Sequence, residues 1–325
     1  MHYLITGGCG FIGSHLAETL LAAGHDITII DDLSTGRIAN VQHLEQDPRV
    51  HLLIGSVTDT ELVHETVKRV DRVFHLASAV GVKLIMERPV ETIDTIVSGT
   101  QIVLAQANRY RKPVLLTSTS EVYGKSTSVP FDEDGDRLEG PTTKHRWAYA
   151  CAKALDEFMA MAYWKSCNLP VVVTRLFNTV GPRQTGQYGM VIPRFLQRAL
   201  AGDPLEVFGD GSQSRCFCHV ADIVRGLIDL MHCEAAYGQV VNLGSTEEIR
   251  IRELAERIIS LTGSQSVIKF LPYESVFGDG FEDMQRRIPS IAKAQRLIGW
   301  QPQYTLDQIL QDCLAAASAE GKLAK

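Results

Sequence analysis

The sequence predicts an α/β protein: a doubly wound, parallel, Rossmann-like sheet carrying a smaller mixed α/β lobe. Three observations predict it. Short apolar runs alternate with helical patterns through the first half of the 325 residues. Those runs are apolar throughout, as strands covered on both faces must be. A glycine-rich turn, Gly7-Gly8-Cys9-Gly10-Phe11-Ile12-Gly13, follows the first run directly and opens the first helical pattern.

The elements follow in order. His2–Thr6 reads as a strand, Phe11–Ala23 as an amphipathic helix, and Asp26–Ile30 as a second strand ending in Asp31-Asp32. Val50–Leu53, Arg72–Leu76, Val114–Leu116 and Val171–Leu176 repeat the strand type. Glu61–Val70, Val90–Tyr110 and Trp147–Cys167 carry apolar residues at helical spacing. Right-handed crossovers between parallel strands then give the doubly wound topology. After Asn178 glycine and proline break the pattern, around helices predicted at Pro193–Ala201, Asp222–Met231, Ile251–Thr262 and Leu306–Ala317 and a strand at Val240–Leu243. We expect residues 1–178 to form the nucleotide-binding domain and 179–325 mainly a substrate lobe, with segments near 215–245 returning to the sheet. The last five or so residues read as a frayed tail.

Composition excludes several classes. Hydrophobic residues make up 45% and charged residues 22%, ordinary for a folded globular chain and unlike a disordered, collagenous or coiled-coil one. The net charge of −6 offers no basic excess for nucleic acid. No apolar run approaches the roughly 20 residues that span a bilayer. The chain opens on a strand and a glycine turn instead of a basic leader, so export is not expected. Seven scattered cysteines form no disulfide framework. Cys216 and Cys218 have no second pair nearby, so no metal site is expected. These features together predict a cytoplasmic protein with reduced thiols and no membrane or nucleic-acid partner.

The glycine turn has a defined chemistry. Gly7 lets the chain turn sharply, Gly10 lets backbone approach a diphosphate, and Gly13 lets helix and strand pack closely; Phe11 and Ile12 open the helix whose N–H groups meet the phosphates. Asp31 closes the second strand about 20 residues after the turn, where a carboxylate accepts the ribose hydroxyls. It repels a 2′-phosphate, which favours NAD over NADP, although Arg37 just beyond is a counter-signal. Asp32, and Leu76 and Ala77 at the end of the fourth strand, belong to the same cofactor site.

Tyr149 and Lys153 stand four apart on a predicted helix and so share a face. A phenol is a weak base at its ordinary pKa near 10. A neighbouring ammonium and a nicotinamide cation both favour the phenolate, which can then take a proton from a substrate alcohol. Thr119, in the segment Thr117-Ser118-Thr119-Ser120-Glu121-Val122-Tyr123-Gly124, closes a strand at the end where such sheets gather functional groups. It is the candidate for orienting that alcohol.

With these motifs, Asp31-Asp32-Leu33-Ser34-Thr35-Gly36 and Arg175-Leu176-Phe177-Asn178-Thr179-Val180-Gly181-Pro182-Arg183, the chain resembles the extended short-chain dehydrogenase/reductase family over almost its whole length. That family contains nucleotide-sugar epimerases, dehydratases and decarboxylases. The resemblance implies NAD as cofactor, a UDP-sugar as substrate, and transient oxidation at C4. It places Asn178 and Arg215 on the diphosphate, Arg183 beside them, and Val207, within Pro204–Gly211, near the nucleotide base. The Ser120-Glu121 pair and Arg146-Trp147-Ala148-Tyr149 look like the UDP-glucuronic acid decarboxylases, and Arg287, within Gly280–Ser290, matches an arginine near the sugar carboxylate.

The reaction so implied gives UDP-xylose. A ketone at C4 is β to the C5 carboxylate, and a β-keto acid loses CO2 readily. Three positions depart from the pattern. Ala79–Arg88 lacks the loop tyrosine expected there and offers Lys83 for a phosphate or carboxylate. Ile96 replaces an asparagine, and Ser56 an aspartate. A UDP-sugar 4-epimerase (for UDP-glucose/galactose or UDP-glucuronic acid), a 4,6-dehydratase and a non-catalytic NAD-binding regulator are the alternatives. By resemblance, Val90–Tyr110 and Trp147–Cys167 also pair into a four-helix homodimer contact, with Met159, Met161, Tyr163 and Trp164 offering apolar area.

Overall fold

The computed structural model describes residues 1–78, 88–186, 190–273 and 284–323. Seven parallel strands form the central sheet: β1 (His2–Thr6), β2 (Asp26–Asp31), β3 (Val50–Ile54), β4 (Arg72–His75), β5 (Val114–Thr119), β6 (Val171–Leu176) and β11 (Gln239–Leu243). Their order across the sheet is β3-β2-β1-β4-β5-β6-β11. The order reverses at β1, between β2 and β4, and this switch point opens the crevice in which such sheets bind ligands. β1 is buried on both faces because its residues are apolar or, like Thr6, hydrogen-bonded inside.

Helices cover both faces. α1 (Phe11–Ala22), α6 (Val220–His232) and the short α8 (Ala292–Ile298) pack on one side with Leu16, Leu20, Ile223, Leu227 and Trp300. On the other lie α2 (Thr60–Arg69), α3 (Pro89–Tyr110) and α4 (Ala148–Cys167), around Val63, Val103, Leu104 and Ala160. Proline in its first turn starts α3, and left-handed Arg111 and Asn168 end α3 and α4. A second core joins α5 (Val191–Ala201), α7 (Ile251–Thr262) and α9 (Leu306–Leu323) to strand β8 (Leu205–Phe208).

Small two-stranded pairs connect this second core to the sheet. β8 runs parallel to β13 (Ile268–Leu271), β9 (Ser214–Cys216) pairs antiparallel with β12 (Glu248–Arg250), and β10 (Cys218–His219) pairs with β7 (Thr179–Val180). Apart from β8, which runs within the Pro204–Gly211 segment, the sequence reading missed these strands and α8. The C-terminal helix also runs past the predicted end at Ala317, through Leu323, where a frayed tail was expected. Among the described residues no helix is long and apolar enough to cross a membrane.

Candidate active site

The carboxyl ends of the sheet strands and the second core enclose one cavity of about 810 Å³. Every predicted site residue among those described lines it, except Val207. Val207 faces the core with Leu196 and Leu254, because alternation along β8 turns its neighbour Phe208 to the cavity instead. Lys83 and the rest of 79–87 lie outside the described residues, as do Gly280–Asp283 and the side chain of Arg146.

On the cofactor side the glycines are required by space. Gly7 takes φ +72°, and a Cβ there would sit 2.9 Å from the Ala77 backbone. A Cβ on Gly13 would run into the Gly7 carbonyl. N-cap Gly10 has no side chain to cap α1, so the first-turn N–H groups stay available to an anion. Asp31 is buried and accepts the amides of Cys9 and Leu33, both at 2.9 Å. Burial pushes its carboxyl above the usual range, and these amides pull it back. Each oxygen keeps lone pairs for ribose hydroxyls. A cradle that a Cβ would fill, beside an oriented carboxylate, fits NAD.

Thr119 ends β5, and its hydroxyl caps the following turn by accepting the Glu121 amide at 3.2 Å. Tyr149, in the first turn of α4, packs with Ile96 and Ala152. The apolar Ile96 therefore stands directly against the phenol. Burial, and then the Glu121 carboxylate, hold the Tyr149 phenol well above its ordinary pKa, against an opposing pull from Thr119. Lys153, whose Nζ is paired with Asp156 Oδ2 at 3.0 Å, keeps its ammonium in the same cavity, but by itself it does not outweigh that burial. The positive charge that bound NAD would bring adds to that ammonium in favouring the phenolate.

In the same cavity, Arg287 Nη2 meets Glu121 Oε1 at 2.6 Å. Arg287 Nη1 lies 3.4 Å from Asn178 Oδ1, and its Nε is buried without a partner among the described residues. Asn178 Nδ2 donates to the Cys216 carbonyl at 2.9 Å. Ser120 is buried beside Glu121, and Arg215 Nη1 donates to the Ser214 carbonyl at 2.8 Å. Arg183 reaches the cofactor side, bonding Glu18 at 2.5 Å and Ser14 at 3.2 Å on α1. It ties the loop after β7 to the first two turns of α1.

The sequence reading passed over Arg194, whose guanidinium stacks 4.2 Å over the Phe208 ring, and Tyr273, which also lines the cavity. A signal existed for the first: Arg194 follows Pro193 at the start of a helix, on the face opposite its apolar stripe.

Fold and site together define an NAD-dependent enzyme that modifies nucleotide sugars. A family model described as GDP-mannose 4,6 dehydratase matches residues 4–313. The chain is 44% identical over 312 residues to a UDP-N-acetyl-alpha-D-glucosaminuronate decarboxylase of Bacillus cytotoxicus, covering 96% of each. It is 39% identical to UDP-glucuronic acid decarboxylase 1 of Danio rerio, over 98% of this chain and 72% of the relative. Among solved structures, UDP-glucuronic acid 4-epimerase from Bacillus cereus, in complex with UDP-glucuronic acid and NAD, superposes with a TM-score of 0.89 at 26% identity, covering 98% of this chain and 100% of that one. The chain belongs to the GDP-mannose 4,6 dehydratase family, within the extended short-chain dehydrogenase/reductase group of nucleotide-sugar enzymes.

Proposed function

We propose that this enzyme decarboxylates a UDP-uronic acid after transient oxidation at C4, with UDP-glucuronic acid as substrate and UDP-xylose as product. The observation that carries the reading is the Arg287–Glu121 pair, placed in the same cavity as Tyr149 and Lys153. A guanidinium with a buried, unpartnered Nε is a carboxylate receptor, and a C5 carboxylate can replace Glu121 upon it.

When bound, NAD supplies a hydride acceptor and, later, the donor. Tyr149 takes the C4 hydroxyl proton, Thr119 orients that hydroxyl, and Lys153 steadies the phenolate. With C4 a ketone, the C5–carboxylate bond breaks, its electrons enter the enolate, and CO2 leaves. Arg287 aligns the carboxylate for that cleavage. C5 takes its proton from solvent water, passed on by Glu121 once the substrate carboxylate has replaced it on Arg287, and Tyr149 returns one to the C4 oxygen. Asn178, Arg183 and Arg215 serve the diphosphate, Ser120 the sugar, and the main chain at Val207 the base.

A second reading, UDP-N-acetylglucosaminuronic acid as substrate, is favoured by the 44% identical relative from Bacillus cytotoxicus. Both substrates present the same carboxylate to Arg287. Incubation with each UDP-uronate and NAD tests the choice: CO2 and a UDP-pentose are expected. A UDP-uronate inverted at C4 with no CO2 would make the protein an epimerase.

The protein is also read as a homodimer through α3 and α4. Of the residues first named for this contact, Met159, Met161 and Tyr163 pack inward on the sheet, and Trp164 lies over Gly238. The support is a different stripe, Leu155 and Phe158 on α4 with Val90 and Ile93 on α3, all exposed. Residence in the cytoplasm belongs to the same reading; its support is seven free cysteines. The division of the chain near residue 178 rests on the two separate cores.

A further inference from the structure

We propose that Asp156 is a positioning residue of this site: it is the buried counter-charge that holds the Lys153 ammonium in place, and it is itself held by a hydrogen-bond chain of fixed direction starting at the Ala77 amide. The inference rests on reading Tyr149 and Lys153 as the reacting pair.

Asp156 lies one turn beyond Lys153 on α4 and is fully buried, as is nearly all of the lysine. Its Oδ2 takes Lys153 Nζ at 3.0 Å and the Thr100 hydroxyl, from α3, at 2.9 Å. The single Thr100 hydrogen is thereby committed. The 3.1 Å contact between Thr100 Oγ1 and His75 Nε2 must then have the imidazole as donor. Burial, and then the Lys153 charge, hold His75 at about 3, so the ring is neutral and its Nδ1 is an acceptor. The Thr6 hydroxyl donates to that Nδ1 at 2.7 Å. Thr6 Oγ1 in turn accepts the Ala77 amide at 3.2 Å. Every donor in the chain points toward Asp156.

Both ends of this chain face the cavity, Ala77 on the cofactor side and Lys153 beside Tyr149. The other ionisable groups nearby are already engaged or uncharged. Glu157 on α4 is taken by Arg175 from β6, Glu121 beyond β5 by Arg287, and the Tyr149 phenol is held protonated. The second Asp156 oxygen, Oδ1, is buried with no partner among the described residues. An unpaired buried carboxylate oxygen is a cost that packing alone does not explain. A buried ammonium deprived of its counter-charge gives up its proton and no longer favours a neighbouring phenolate.

The test uses Asp156→Asn, which keeps the shape and removes the charge, with Thr100→Val, which keeps the shape and removes the hydroxyl, and Thr100→Ser, which keeps the hydroxyl. In the full-length enzyme, kcat and the KM of the UDP-uronate are measured against pH, and the His75 ring nitrogens are followed by 15N NMR. Asp156→Asn is expected to lower kcat at least about tenfold, with KM within about twofold and the loss deepening above neutral pH. Thr100→Val follows in the same direction, and Thr100→Ser stays within about twofold of wild type. The wild-type His75 ring is expected as the Nε2–H tautomer, and Thr100→Val is expected to disturb it. An Nδ1–H ring in the wild type, a Thr100→Ser variant as damaged as Thr100→Val, or an Asp156→Asn profile parallel to wild type overturns the proposal. Should Asp156→Asn fail to fold, the Thr100 pair and the ring spectrum still decide. Wild-type enzyme that releases no CO2 from either UDP-uronate sinks the proposed reaction instead, while the spectrum continues to report on the chain.

Discussion

Arg287 Nη2 and Glu121 Oε1 stand 2.6 Å apart, each side chain little more than a tenth exposed. A pair this enclosed is strongly coupled, because removing one partner strands the other's charge. Arg287→Met and Glu121→Gln are each expected to destabilise the fold by roughly 1–3 kcal/mol, with the double variant no worse than the poorer single one. Thermal denaturation of the four proteins reads this directly, and simple additivity would contradict the coupling. Arg287→Ala is also expected to reduce CO2 release by at least about 100-fold.

Tyr149→Phe removes one oxygen from a buried ring. Turnover is expected to fall by roughly 10²–10⁴-fold, the contribution of a positioned acid–base group. NAD binding, followed by calorimetry, should hardly change. A variant retaining more than a tenth of wild-type turnover would show that another group moves the proton.

Buried ionisable groups set the pH range of the fold. Burial holds Tyr149 above the ordinary value near 10 and pushes Tyr123 up to about 12. Phenols raised in this way contribute stability in full below pH 10 and lose it as pH climbs through the folded values. His75 runs in the opposite sense. Lowered from 6.5 to about 3, chiefly by burial, it contributes in full above pH 6.5 and loses that contribution as pH falls toward 3. Melting temperatures are therefore expected to drop on both flanks, with Tyr149→Phe flattening the alkaline one. A profile level from pH 4 to 11 would show that neither group is linked to folding.

Gly13→Ala places a methyl group against the Gly7 carbonyl and the Gly8 Cα. Both are backbone, so the turn itself has to shift. A loss of about 1–3 kcal/mol is expected, together with NAD affinity lowered at least about tenfold. An alanine variant that binds NAD normally would mean that close helix–strand packing is not needed here.

Phe158 is 63% exposed on α4 and Leu155, one turn earlier, 47%. Phe158→Asp is expected to yield a monomer in light scattering while the fold persists. A dimer unaffected by this change would locate the contact elsewhere.

How much of this was legible beforehand follows from the range of each signal. Apolar runs and the glycine turn announced β1, α1 and β2 because backbone geometry there is written into neighbouring residues. Strands of two or three residues, such as β7, β9, β10 and β12, are too short for any period to show. The orientation of Val207 needed the register of β8, and a one-residue slip reverses it. Glu121 and Arg287 were each readable from motifs, but their contact joins segments from distant parts of the chain. The buried run from Ala77 to Asp156 draws one residue from each of several elements, so no local window contains it. For the same reason the lysine's partner, which decides whether it acts on the phenol, was invisible.

One topological detail bears on how the molecule is made. β6 ends at Leu176, yet its outer neighbour β11 begins only at Gln239. While the nascent chain emerges from the ribosome, Val171–Leu176 presents an open, mostly apolar rim until Leu243 has cleared the exit tunnel. A fragment severed after Asn178 would keep that rim for good and would be prone to stick to other copies edge to edge.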